Sequence, residues 1–296
     1  MTAEAVDQST QAAPAALEKP AARVSRAELD AVRVDQMPMI GIALLAGPAN
    51  VIMQLAMPAV GYGVVESRVE TGNLLKHPVK RTRTTLSYLA VAALGSAADR
   101  KAYRKAVGKA HAQVYSTESS PVEYHAFDPT LQLWVAACLY RGWEDMQRIY
   151  GDPAAITEEA YQQGSVMGTT LQVPREMWPA TRADFLKYWD DTVATLTIDP
   201  PVQRYLRGLA RVEFMGKTPS RLFGWWSEIF AIGFLPTEFR SMMDMQLSPL
   251  QERIFHTHNK ILGAIVRKLP RSLQLFPFNI LLADVRWRIR TGRSLV

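Results

Sequence analysis

Residues 81–116, RTRTTLSYLAVAALGSAADRKAYRKAVGKAHAQVYS, contain the pattern that decides the fold. The first part, 81–95, is an apolar segment that ends at Gly95, a residue type common at helix C-termini. The second part, 98–116, repeats residues of one helical face at steps of four, three and four: Tyr103, Val107, Ala110 and Val114. The two patterns predict consecutive helices joined by a tight turn.

The rest of the chain also favours helices. Helix starts are predicted where a capping residue precedes a proline or a capping-box partner: Ser25-x-x-Glu28, Asp128-Pro129, Thr181-x-x-Asp184 and Ser248-Pro249-x-Gln251. No convincing strand alternation and no internal repeat is found in the sequence. We therefore predict an all-α protein with a disordered leader, 1–24, and a single helical domain, 25–296.

The composition is that of a globular protein. The 296 residues are 48% hydrophobic and 21% charged, with a net charge of +6, which excludes a wholly disordered, collagen-like or coiled-coil chain. A single cysteine, Cys138, excludes a disulfide framework within the chain and a cysteine-based zinc cluster, and it favours a reducing compartment. Residues 1–24 contain no apolar signal-peptide core, so we expect a cytoplasmic protein.

An uncharged stretch covers residues 36–65 and raises the question of a membrane span. Pro38, Pro48 and Pro58 divide it into pieces that are each too short to cross a bilayer as a helix. We expect a buried pair of core helices here, with a membrane span and shallow membrane contact as the alternatives.

The positive charge is concentrated near the C-terminus. Residues 259–296 contain eight basic side chains and one acidic side chain, Asp284. No nucleic-acid-binding motif accompanies them, so we expect no nucleic-acid partner. The two interpretations left open are a solvated basic tail and attraction to an anionic membrane surface.

The sequence contains no P-loop, no dinucleotide-binding GxGxxG, no HExxH and no GxSxG motif. Of the five histidines, His256 and His258 are two residues apart and would diverge by about 200° on a helix, so they are not expected to share a metal ion. His111 is placed on the inward face of the predicted helix 98–116. It is interpreted either as a hydrogen-bonded core histidine or as a haem or metal ligand.

The preceding predicted helix has a polar stripe on an otherwise apolar surface. The stripe consists of Arg81, Thr84, Thr85 and Tyr88. An arginine with hydroxyl groups suits an anionic edge such as a haem propionate, whereas a buried polar network or helix capping would use the same residues.

The order of four segments resembles the MpaB and latex-clearing-protein (rubber oxygenase) family, whose characterised members are all-α haem b oxygenases. The segments are LLAGPANVIMQLAMPAVGYGVVESR (44–68), HPVKRTRTTLSYLAVAALGSAADRKAYRKAVGKAHAQVYS (77–116), YHAFDPTLQLWVAACLYRG (124–142) and LQVPREMWPATRADFLKYW (171–189). The segment after residue 200 matches only loosely. The resemblance implies a globin-like helical core around haem.

The resemblance also implies roles for individual residues. His111 corresponds to the axial ligand of the haem iron, and a second-shell acceptor is expected to orient its other ring N–H. Arg81 and Thr85 correspond to catalytic positions, and Arg81, Thr84, Thr85 and Tyr88 to cofactor-binding positions. Thr84 departs from the lysine that rubber oxygenases have at this position, which puts a lysine-closed iron site in doubt.

These observations lead to two hypotheses of different kinds. The first is a haem b-dependent oxygenase that uses O2 on an apolar, unsaturated isoprenoid or lipid-like substrate by cleaving a carbon–carbon double bond. In it, the aromatic and methionine-rich segment 222–245 would wall a lipid-like pocket, or simply pack in the core. The second is a non-catalytic helical protein that binds a membrane surface or lipid. A haem protein without oxygenase activity is a third alternative.

Overall fold

A computed structural model describes residues 24–67 and 77–296. Within these ranges the chain is all-α, as predicted, and its sole β-type pairing is an isolated bridge between Tyr115 and His125. The predicted leader lies outside the described residues, apart from Val24. The helices are α1 (Arg26–Ala31), α2 (Gly47–Leu55), α3 (Pro58–Val65), α4 (Pro78–Leu94), α5 (Ala97–His111), α6 (Pro129–Ile149), α7 (Glu158–Gly164), α8 (Val166–Thr169), α9 (Arg182–Val193), α10 (Pro200–Ala210), α11 (Lys217–Gly233), α12 (Thr237–Met243), α13 (Pro249–Val266), α14 (Arg271–Gln274) and α15 (Phe278–Thr291).

The predicted helix starts are confirmed by their side-chain contacts. Of the four predicted starts, three are complete capping boxes, at Ser25 for α1, Thr181 for α9 and Ser248 for α13. The Asp128 side chain accepts a hydrogen bond from the backbone N–H of Thr130, with Pro129 as the first residue of α6. Each cap satisfies N–H groups that have no partner inside the helix, which is why the signal is readable locally.

The predicted end of the second helix is wrong by five residues. α5 ends at His111 instead of residue 116. Beyond it the backbone N–H of Ser116 donates to the carbonyl of Tyr124, and that of Ala126 donates to the carbonyl of Val114. Pairing with a segment about ten residues further on therefore replaces the last helical turn, and His111 becomes a helix-terminal residue.

The centre of the core is formed by α6, which packs against α2 and α8. Trp134 of α6 is fully buried and donates from its indole N–H to the carbonyls of Met53 and Gln54. Tyr140, six residues further along α6, makes edge-on contacts with the rings of Trp178 and Phe185. Aromatic packing of this kind contributes large apolar areas and tightly ordered contacts.

The uncharged stretch supplies part of this core, as expected. Residues of α2 such as Ile52, Met53 and Leu55 are at most 4% exposed. Within 24–67 and 77–296, no individual helix is both long enough and apolar enough to span a membrane. The segment Gly41–Leu55 and α3, which are bent relative to each other, are long and apolar enough only when they are taken together.

The predicted basic tail is largely a folded helix. α15 packs along α4, and Asp284 of α15 pairs with Arg83 of α4 at 3.4 Å and with Arg288 at 2.7 Å. Arg286 reaches Asp99 at the start of α5, at 3.0 Å. Part of the C-terminal positive charge is therefore used inside the fold and is not free for a partner.

A buried arginine holds α1 against the α4–α5 pair. Arg100 is 2% exposed, and its guanidinium donates to the backbone carbonyls of Asp30, Val32 and Ala92 at 2.6–2.9 Å. We expect Arg100→Met to lower the free energy of unfolding by about 3 kcal/mol, because the carbonyls lose a charged donor and stay buried. Urea unfolding would measure this.

The matched control for this prediction is Arg33→Met, at an exposed position just after α1. It should change the free energy of unfolding by about 0.5 kcal/mol or less. Equal effects of the two substitutions would contradict the assigned role of Arg100.

Candidate functional site

The α4–α5 hairpin places the predicted site residues near one another. Ser96 and Asp99 form a complete capping box that starts α5 directly after α4. Further along the pair, the Tyr103 hydroxyl donates to the carbonyl of Thr84 at 2.6 Å. The two helices therefore run past each other, and the first turn of α4, with Arg81, lies towards the last turn of α5, with His111.

His111 has an unused polar atom in an enclosed position. Its Nδ1 is buried and has no hydrogen-bond partner among the residues that the structure describes. Its ring lies beside that of Phe127, with centroids 6.4 Å apart. Burial, with a further contribution from the Arg81 charge, lowers the pKa of His111 to about 4. The imidazole is therefore neutral at physiological pH and is available as a nitrogen ligand.

Arg81 is an enclosed cation without a counter-charge. Burial lowers the pKa of its guanidinium, and its electrostatic neighbours are the phenols of Tyr103 and Tyr205. The side chain makes no hydrogen bond or ion pair within 24–67 and 77–296. The residue is nevertheless partly accessible to solvent. The guanidinium is therefore surrounded largely by protein, while the residue keeps some contact with solvent.

The three hydroxyl groups of the polar stripe differ in their hydrogen-bond partners. The Thr84 hydroxyl donates to the carbonyl of Lys80 in the preceding turn of α4. The Tyr88 hydroxyl donates to the carbonyl of Met167 and so ties α4 to α8. Thr85 is partly accessible, and its hydroxyl has no partner in the described part of the chain. Of the three hydroxyls, that of Thr85 is the one left available beside Arg81.

Two features of the site differ from the sequence analysis. Tyr205 of α10 was not singled out, although its phenol lies near Arg81 and burial raises its pKa. The loose match after residue 200 offered no signal for it. The second-shell acceptor expected for His111 is not found on Nδ1 among the described residues, and the ring lies beside that of Phe127.

The aromatic and methionine-rich segment 222–245 divides between the core and the surface. Phe230, Met243 and Met245 are buried in the core, whereas Trp225 and Trp226 are exposed. The segment does not act as one pocket wall. The core-packing interpretation therefore holds for its buried half alone.

The donor set limits what the site can bind. No group of three or more His, Cys, Asp or Glu side chains suited to a metal ion exists among the residues that the structure describes. His256 is exposed on α13, while the His258 ring packs against Phe230, so they do not form a metal pair. A single neutral imidazole holds a metal well when the metal brings its other ligands, as haem iron does. An unpaired guanidinium beside it suits an anionic group such as a propionate.

The lowered pKa of His111 predicts a pH dependence of the cofactor-free protein. The unfolded chain takes up a proton near pH 6.5, whereas the folded state resists protonation until about pH 4. Stability is therefore full above pH 6.5 and is lost as the pH falls towards 4, by about 3 kcal/mol. Urea unfolding at pH 7 and pH 4.5, for wild type and for His111→Phe, would measure it. A wild-type-minus-variant difference that does not change with pH would contradict the prediction.

Comparisons with known proteins agree with the resemblance. Residues 35–266 match the family described as ER-bound oxygenase mpaB/B'/rubber oxygenase, catalytic domain. Two uncharacterized mycobacterial proteins, one from Mycobacterium bovis and one from Mycobacterium tuberculosis, are each 48% identical to the chain over 255 residues. These alignments cover 86% of this chain and the whole of each relative. No solved structure matches the chain significantly.

Proposed function

Because the chain belongs to the MpaB and rubber oxygenase catalytic-domain family, we propose that it is a haem b-dependent oxygenase that uses O2 on an apolar, unsaturated substrate. The family is one of oxygenases, and the chain matches its catalytic domain over most of its length. The observation that supports the haem assignment is the pairing of a neutral, unpartnered imidazole at His111 with an enclosed, unpaired cation at Arg81.

Each residue has a defined part in this proposal. His111 would hold the iron, because an unprotonated imidazole is a good ligand for haem iron. Arg81 would pair with a haem propionate, which supplies the counter-charge that the described residues do not. Thr85 would present its unused hydroxyl at the same end of α4, and Tyr205 would add a phenol from α10. When bound, haem b supplies the redox chemistry of dioxygen.

The reaction class balances without an external reductant. Cleavage of one carbon–carbon double bond by one O2 gives two carbonyl groups, and each receives one of the two oxygen atoms. An isoprenoid or another unsaturated lipid-like molecule provides such a bond. The roles of Arg81 and Thr85 are then to bind and orient groups at the haem edge.

The proposal is tested by the absorption spectrum and a haem assay of the purified full-length protein, followed by oxygen uptake. We expect about one b-type haem per chain, and oxygen consumption with carbonyl products when a polyisoprene or unsaturated lipid dispersion is added. A protein that stays free of haem after reconstitution would overturn the proposal. A haem-loaded protein that leaves all such substrates unchanged would favour a haem protein without oxygenase activity.

A further inference from the structure

An exposed apolar surface on α11 and α13 has no partner in the described part of the chain. On α11, Leu222, Phe223 and Trp225 are 69%, 61% and 50% exposed. On α13, Leu250, Ile261 and Ile265 are 65%, 56% and 50% exposed. Single exposed apolar residues are ordinary, but six large ones on two neighbouring helices mark an interaction surface. These six residues are called the α11–α13 surface below.

The two halves of this surface are continuous. Trp226 contacts Trp225 on its own helix, with ring centroids 6.1 Å apart, and contacts His258 of α13 edge-on at 5.3 Å. Ile261 and Ile265 follow His258 by three and seven residues, which places them on the same side of α13. The exposed aromatic side chains of α11 and the exposed aliphatic side chains of α13 therefore form one continuous surface.

A row of cations lies beside the apolar row on α13. Arg253 and Lys260 of α13, and Arg267 directly after its end, are exposed and seven residues apart, so they share one side of the helix axis. Lys260 directly precedes Ile261, so these two side chains lie about 100° apart around the axis of α13. None of the three has an acidic partner within ion-pair distance in the residues that the structure describes. The row is thus free to meet negative charge outside the protein.

The acidic residues of these helices do not cancel the basic row. Glu228 of α11 lies 3.9 Å from Arg211, and Glu252 of α13 lies 3.8 Å from Arg240. An exposed aromatic and aliphatic face edged by free cations is the composition of helices that lie in the headgroup region of anionic bilayers. Tryptophan favours the same interface, since its ring is apolar and its N–H is polar. Basic side chains there add an attraction that depends on salt.

We propose that the α11–α13 surface docks the protein on an anionic lipid membrane, with its apolar residues inserted shallowly and the basic row against the lipid headgroups. The basic charge that acts here is the α13 row. It differs from the α15 arginines, of which Arg286 and Arg288 are paired inside the fold. The proposal does not depend on the oxygenase assignment, because its test reads lipid binding.

The test is flotation of the full-length protein with vesicles of phosphatidylcholine, alone or mixed with phosphatidylglycerol. We expect binding to the mixed vesicles, weakened by salt, and little binding to the neutral ones. The double substitution Lys260→Glu with Arg267→Glu should weaken binding at least about tenfold. The matched control, Lys101→Glu with Lys105→Glu on exposed positions of α5, should bind as wild type does.

Insertion of the apolar residues is tested separately. Brominated lipid should quench the fluorescence of the bound protein, and Trp225→Phe with Trp226→Phe should remove most of that quenching while leaving binding in place. Circular dichroism and thermal unfolding confirm that each variant folds. The proposal is overturned if wild type ignores both kinds of vesicle, if the α13 charge reversals bind as tightly as wild type, or if light scattering shows that the surface joins two copies of the chain.

Discussion

We expect His111→Ala to purify without haem b. The substitution removes the buried imidazole whose Nδ1 has no partner, and no group of three or more His, Cys, Asp or Glu side chains suited to a metal lies among the described residues. Loss of a second-shell partner alone typically weakens metal binding by 10- to about 100-fold, so loss of the axial ligand should weaken haem binding by more than about a hundredfold. Haem titration of the apoprotein and the absorption spectrum measure this directly.

Two controls sharpen this result. His256→Ala removes an exposed histidine from α13 and should leave haem content unchanged. Added imidazole should restore the haem spectrum of His111→Ala, because the removed side chain leaves space next to Phe127 for a free ring. Full haem content in His111→Ala would show that another residue holds the iron.

The second expected result is that Arg81→Met stabilises the apoprotein and weakens haem binding together. The guanidinium is enclosed and has no counter-charge among the described residues. No ion pair there offsets the free energy that the charge loses when water is partly removed from it. An apolar side chain of similar length removes that cost, and the free energy of unfolding should rise by about 2 kcal/mol. Haem affinity should fall about tenfold or more, because a propionate loses its charged donor. Thermal unfolding and haem titration of the same preparation give both numbers.

The matched control is Arg83→Met, two residues along the same helix. Arg83 is paired with Asp284 and donates to the carbonyl of Leu295. Its removal should destabilise the protein by up to about 1 kcal/mol and leave haem affinity unchanged. If Arg81→Met instead destabilised the apoprotein, the guanidinium would have a partner in the native state and the proposed propionate site would lose its support.

Local signals in the sequence determined the class of fold and the starts of four helices. The capping boxes at Ser25, Thr181 and Ser248 and the Asp128-Pro129 start are readable because the side chain and the N–H groups that it satisfies lie within three residues. The family resemblance is confirmed. It could be read from the sequence because its four segments follow one another along the chain. The sequence also indicates the residues of the α4 stripe and His111 as candidates for the site, and their roles in binding stay predictions.

The tertiary structure decided which of those residues are left without partners. α5 stops at His111 because residues 114 and 116 hydrogen-bond to the segment 124–126. Tyr88 is engaged by the Met167 carbonyl, and the C-terminal helix uses Asp284 to pair with Arg83, while Arg81 remains unpaired. The physical reason is that helix caps are contacts between neighbours in sequence, whereas an unsatisfied buried nitrogen or an uncompensated charge depends on every helix packed around it.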